Sequence, residues 1–157
     1  PAGGRTVELR AKVPGIVHAS IDTIDTLRGQ RSVVRVRVGR TDEAGALSPR
    51  DGETIAEAAR AALDERLPVL VELSSTGADI GEGLAALHGW GLAARALTAC
   101  SGIVPTVMVV DGPAVSGPAL LLGIADHVIM TKPVSASMPT MKRSGPVGAR
   151  SPKPTVA

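Results

Sequence analysis

Two stretches decide the fold. The first is Pro68-Val69-Leu70-Val71-Glu72-Leu73-Ser74-Ser75-Thr76-Gly77-Ala78-Asp79-Ile80, and the second is Pro105-Thr106-Val107-Met108-Val109-Val110-Asp111-Gly112-Pro113-Ala114-Val115-Ser116-Gly117-Pro118. Each starts as a short apolar run of strand character, passes through a glycine-bearing turn and opens into an Ala- and Leu-rich helical run. A strand-to-helix turn leaves backbone N–H groups without intrahelical acceptors. Two such turns on neighbouring strands present donors for one developing oxyanion, which points to thioester chemistry.

Working outward, Asp51–Arg66 reads as an amphipathic helix. Ile55, Ala58, Ala59, Ala62 and Leu63 share one face, and Glu57, Arg60 and Glu65 face water. Glu82–Ser101 reads as a second helix, stopped at Gly102, and Ala119–Ile124 as a short buried one. Ser32–Val38 alternates valines with Arg35 and Arg37, a half-exposed strand. Pro105–Val110 is apolar throughout, as in a strand buried on both faces, and His127–Met130 is another apolar strand. Arg40–Ser48 reads as a polar loop. Near the N-terminus, Val7–Val13 fits strand or helix, whereas Ile21, Ile24 and Leu27 fall at helical spacing in Ser20–Leu27. Strands alternating with helices imply a mostly parallel α/β sheet with right-handed crossovers. Ligands of such sheets sit at the carboxyl ends of the strands, where both turns lie.

Composition narrows the chemistry. There is no Phe or Tyr, and Trp90 is the single aromatic residue. The core is therefore aliphatic, and the lack of aromatic residues for stacking counts against single-stranded nucleic-acid recognition. The net charge of +2 hides an asymmetry, because residues 132–157 carry Lys132, Lys142, Arg143, Arg150 and Lys153 with no acid. That leaves residues 1–131 with 12 bases and 15 acids, from totals of 17 and 15. The expectation is a mildly acidic domain over 1–131 and a basic, Pro-rich, disordered tail over 132–157. The single cysteine, Cys100, fits a reducing, cytoplasmic setting and reads as a buried structural thiol. Three scattered histidines, His18, His88 and His127, make no metal site with it. His127, in an apolar strand, reads as a core histidine. No apolar run has the length of a membrane span, and no signal peptide opens the chain. Its start at Pro1, without Met, reads as a processed or trimmed end.

Three segments resemble a known family: Ser74–Glu82 (Ser-Ser-Thr-Gly-Ala-Asp-Ile-Gly-Glu), Asp111–Leu122, and Gly45-Ala46-Leu47-Ser48-Pro49-Arg50-Asp51-Gly52-Glu53-Thr54-Ile55. Cys100-Ser101-Gly102-Ile103-Val104-Pro105-Thr106 adds a fourth. The first two are similar to the oxyanion turns of the crotonase superfamily. Together the four resemble the N-terminal half of the carboxyltransferase β subunits of biotin-dependent acyl-CoA carboxylases, over about residues 32–131.

The resemblance implies a crotonase-like ββα spiral and a coenzyme A ester as substrate. It implies transfer of a carboxyl group from biotin held on a carrier subunit, with no cofactor bound covalently to this chain. The backbone N–H groups of Ala78 and Gly117 would be the catalytic donors, with Gly77, Ser116, Thr76 and Gly112 lining the substrate. It further implies a homo- or hetero-oligomer, since in that family a second half completes the site. Partners are then acyl-CoA and the carrier subunit, not nucleic acid or membrane.

Two departures stand out. Thr76-Gly77-Ala78-Asp79 replaces the Gly-Gly-Ala-Arg of propionyl-CoA-type enzymes. Leu120 stands where a hydratase has its catalytic Glu, and leucine cannot transfer a proton. With only an N-terminal half visible, a truncated or divergent member is expected. A non-catalytic acyl-CoA-binding or assembly subunit is the second reading. A Clp-type serine hydrolase with Ser116 as nucleophile is the third, although the base it needs has no histidine near Met141.

Overall fold

The computed structural model describes residues 7–9, 16–39, 45–131 and 136–137. In chain order the strands are β1 (Val7–Leu9), β2 (Val17–Thr26), β3 (Gly29–Val38), β4 (Gly45–Leu47), β5 (Val69–Ala78), β6 (Thr106–Val115), β7 (His127–Met130) and β8 (Ala136–Ser137). The helices are α1 (Pro49–Glu65), α2 (Leu84–Cys100) and α3 (Gly117–Leu121), with 3-10 turns at Ile80–Glu82 and Leu122–Ile124. One sheet runs β1-β2-β3-β5-β6-β7, with β4 added to β5 and β8 to β6. β1, β2 and β3 are antiparallel, while β3, β5, β6 and β7 run parallel.

Ser20–Leu27, whose apolar residues fall at helical spacing, instead supplies most of β2. Its Ile and Thr residues are β-branched, and the strand pairs with β3 along its whole length, from Val17↔Val38 to Thr26↔Gly29. Leu27 and Arg28 make the hairpin turn, closed by Gly29 at φ 97° and by the Thr26 hydroxyl donating to Gly29 O at 2.6 Å. Part of the expected Arg40–Ser48 loop is β4. Of Val7–Val13, Val7–Leu9 is strand and the rest lies outside the described residues, as does the 132–157 tail apart from β8.

α1 begins two residues earlier than expected. Ser48 is its N-cap in a reciprocal capping box with Asp51, and Pro49 takes the first helical position. The second Asp51 oxygen accepts from Val17 N at 3.2 Å, tying the helix start to β2. Ile55, Ala58, Ala59 and Ala62 are buried as the periodicity requires.

The core is the aliphatic cluster expected: Val34, Val36, Val69, Val71, Leu73, Met108 and Val110 on the sheet, against α1 and Ala93, Leu97 and Cys100 of α2. α1 and α2 meet backbone to backbone. A Cβ on Gly52 would overlap Gly89 O and C, and one on Gly89 would sit 2.6 Å from Pro49 O.

Three burial expectations are corrected. β6 buries Thr106, Met108 and Val110 but leaves Val107 and Val109 half-buried, because among the described residues the helices cover one face. β7 is the sheet edge and is exposed along its length, so His127 is not a core histidine. In α3 and the turn after it only Pro118 and Leu121 are buried, and Leu120 is 72% exposed.

On the strand positions that alternate with the core residues, Arg35 donates to Glu72 at 2.6 Å and to Asp22 at 3.3 Å, and Arg37 donates to Glu72 at 3.0 Å. Burial opposes the Arg35 charge. The hydrogen bonds and charges of Glu72 and Asp22 more than offset this, so its pKa stands above the ordinary value. Both arginines are therefore paired with carboxylates. Arg40 lies outside the described residues.

Candidate functional site

The first turn is built by the end of β5. The Ser75 hydroxyl accepts from Gly77 N at 3.2 Å and bonds Gly45 O at 3.0 Å, pinning the turn to β4. Gly77 is buried with φ 120°, a conformation open to glycine and strained for other residues. Asp79 N donates to Leu47 O at 2.9 Å. Successive N–H groups of an extended strand point to opposite edges, so Ala78 N is directed away from β4. The Asp79 carboxylate accepts from Gly81 N at 2.9 Å and caps the 3-10 turn.

The second turn is built by the end of β6. Ser116 has φ 60° and ψ −127°, unusual for a residue with a side chain, and caps α3 without a side-chain hydrogen bond. Ser116 O accepts from Ala119 N at 3.1 Å, and Gly117 is the first helical residue. An N–H at that position has no acceptor within its own helix.

The two turns touch. A Cβ on Gly77 would lie 3.5 Å from Val115 O and 3.6 Å from Ser116 Cβ. Strand pairing continues to the same level, with Ser75 opposite Ala114. The fold thus places Gly77 beside Val115 and Ser116, with Ala78 and Gly117 the next residues along each turn. Thr76 is exposed at the mouth of the first turn, and Ser116 is exposed beside it on the second. Gly112 lies lower, where a Cβ would collide with the Ser74 hydroxyl, so it serves the close approach of β6 to β5.

No side-chain hydrogen bond or ion pair among the described residues places an ionised group against Ser116 or Gly117. Such a pair of turns offers fixed backbone dipoles to an oxygen that gains negative charge. Cys100 is remote and inert. It is fully buried, its sulfur contacts Ala59 O at 3.6 Å and Ala96 O at 3.5 Å, and burial, then Asp126, pushes its pKa up. A groove of about 290 Å³ lies between α1 and α2, lined by Arg60, Leu63, Leu92 and Arg95, away from both turns.

One neighbour of the site was not placed there by spacing. Trp90 of α2 is 7% exposed and lies against Gly117. It belongs to the hydrophobic core cluster. The usable signal was its being the single aromatic residue, on the helix that leaves the first turn.

The family model for the carboxyl transferase domain matches residues 14–141. Propionyl-CoA carboxylase beta chain of Rhodococcus erythropolis is 32% identical over 127 residues, 81% of this chain and 26% of that protein. Methylmalonyl-CoA carboxyltransferase 12S subunit of Propionibacterium freudenreichii subsp. shermanii is 35% identical over 85 residues, 52% of this chain and 16% of that protein. Transcarboxylase 12S, solved with methylmalonyl-coenzyme A and methylmalonic acid bound, superposes with a TM-score of 0.69 at 25% identity, covering 82% of this chain and 28% of that one. A Pseudomonas malonate decarboxylase MdcD–MdcE heterodimer shares the fold, with a TM-score of 0.72 at 19% identity over 89% of this chain and 61% of that one. The crotonase-like, mostly parallel α/β arrangement is borne out by these neighbours. The chain spans about a quarter or less of the curated relatives it matches, 26% and 16% of the two named.

Proposed function

Because this chain belongs to the carboxyl transferase domain family, we propose that it is the acyl-CoA half of a carboxyltransferase site, with the N–H groups of Ala78 and Gly117 as oxyanion donors. The single observation that supports this most is the contact of the two turns, Gly77 against Val115 O and Ser116 Cβ. The donor set suits the chemistry. A thioester oxygen is neutral at rest and gains charge when the α-carbon loses its proton, and preorganised N–H groups favour the charged form. Loss of one such donor costs about 3 kcal/mol of barrier stabilisation.

In this reading Gly77 supplies the turn's φ of 120°, and Ser116, Thr76 and Gly112 shape the acyl-CoA side. Biotin on a partner carrier subunit supplies the carboxyl group when present, and no residue of this chain is assigned to hold it. The exposed face of α3 carries Leu120 and no acid or base, so this half orients the ester and stabilises charge without moving a proton. A second half, on another chain or elsewhere in a longer protein, completes the site, as an oligomer requires. A cytoplasmic setting goes with CoA esters. Among the described residues no helix is long and apolar enough to cross a membrane.

A second reading, acyl-CoA binding or assembly without turnover, is favoured by Asp79, which here caps a turn at the position where the resemblance implies Arg in propionyl-CoA-type enzymes. The serine-hydrolase reading gains the exposed, strained Ser116 but no histidine hydrogen-bonded to it among the described residues.

Calorimetric titration with acetyl-, propionyl- and malonyl-CoA tests the first two readings together. Binding of at least one ester is expected, and no heat with any of them refutes both. Carboxyl transfer to the bound ester, assayed with a carboxylated biotin donor and a second-half subunit, then separates them.

A further inference from the structure

The geometry points to Trp90 as a positioning residue that acts through Gly117, an inference that rests on the oxyanion reading above. A Cβ built on Gly117 lies 3.1 Å from each of Trp90 Cδ2, Cε2 and Nε1. These three atoms belong to the same five-membered ring. A point equidistant from them lies on the axis through that ring's centre, so Gly117 rests on the face of the indole, not on its edge. The Trp90 face is therefore the clamp on this turn, since on the other side there is room for a methyl group between Gly77 and Val115 or Ser116.

Ser116 makes such a clamp necessary. Its φ of 60° is a conformation that persists only when surrounding contacts over-determine it. The platform below is rigid, because Gly89, the residue before Trp90, packs directly on the Pro49 backbone of α1. The indole N–H lies in the ring plane, is buried and has no hydrogen-bond partner. What fixes Gly117 is thus the ring face. A phenyl ring, which keeps a face and drops the N–H, should serve in its place.

The test uses the whole chain with Trp90→Ala, Trp90→Phe and Gly117→Ala. Trp90→Ala is expected to speed amide exchange over 117–122 about tenfold while the 69–73 strand stays protected. It should also weaken acyl-CoA binding about tenfold, with Trp90→Phe restoring affinity to within about threefold. Gly117→Ala should weaken binding alone and have little further effect in the Trp90→Ala background, because both act on one contact. Wild-type exchange at the turn in Trp90→Ala, or an equal penalty for Gly117→Ala in both backgrounds, overturns the proposal. If Trp90→Ala does not fold, Trp90→Leu, which keeps apolar bulk but removes the ring face, carries the same comparison with Gly117→Ala. If the wild-type chain binds no CoA ester, the functional reading fails while the exchange measurement still decides the role of Trp90.

Discussion

Gly89→Ala is the sharpest test of how α2 is held at the height that places Trp90 under Gly117. The added Cβ would lie 2.6 Å from Pro49 O and 2.8 Å from Pro49 Cα. Comfortable contacts of carbon begin at about 3.5 Å, so the helices must part by about 1 Å. Overpacking of that kind costs about 1–3 kcal/mol. Replacing an interior helical glycine by alanine returns up to about 1 kcal/mol of propensity. The net expectation is a loss of about 0–2 kcal/mol. Urea unfolding, followed by Trp90 fluorescence and by far-UV circular dichroism, reads it directly. Gly52→Ala opposes the same backbone, its Cβ overlapping Gly89 O. Once one substitution has parted the helices the second costs less, so the double variant should lose less than the sum. A Gly89→Ala chain that gains the full propensity term, or a strictly additive pair, would refute the close helix approach.

Three further outcomes are expected. Gly77→Ala has room for its methyl group, 3.5 Å from Val115 O, but φ 120° strains it by about 1–3 kcal/mol. It should lose CoA-ester affinity more than thermal stability, and unchanged affinity by calorimetry would count against the first turn as a donor site. At Ser116, with φ 60°, Gly should be more stable than Ala by about 1 kcal/mol in urea unfolding, the reverse of an ordinary helix-start position; equal stability would deny the strain. The Cys100 thiol, raised by burial and by Asp126 from an ordinary 9.0, should resist thiol reagents until the chain unfolds. Below 9.0 both states hold the proton, and above it the unfolded chain loses the proton first, so stability falls as pH rises toward the folded value. Cys100→Ala should flatten that alkaline slope, and parallel pH profiles for the two chains would show that Cys100 does not carry it.

The two turns were legible because their signal is local: an apolar run, a glycine, then helix formers. α1 was legible for the same reason, its face repeating at 3.6 residues and its start marked by Ser48, Pro49 and Asp51. β2 was not, because Ile21, Ile24 and Leu27 satisfy helical spacing and only pairing with β3 decides between the two states. Leu27, read as part of an apolar face, is fully exposed at the hairpin tip. β7 failed differently. His127-Val128-Ile129-Met130 has the composition of a buried strand, yet its place at the end of the sheet order leaves it open. Composition reports what a strand can tolerate, while topology determines what covers it.

The site shows the same division at finer scale. Gly77 and Gly117 are both glycines at turns, but for different reasons. Gly77 is held at φ 120°, whereas Gly117 has ordinary helical backbone and lacks a side chain because the Trp90 ring occupies the space. Gly52 and Gly89, thirty-seven positions apart, belong to neither turn and set where that ring stands. The residues that carry the chemistry in this reading are thus marked locally, and those that aim them are marked only by the crossing of α1 and α2. A substitution survey confined to the turns would miss the second group. Gly89→Ala and Trp90→Ala address it, because each leaves both turn sequences intact and changes only what lies beneath them.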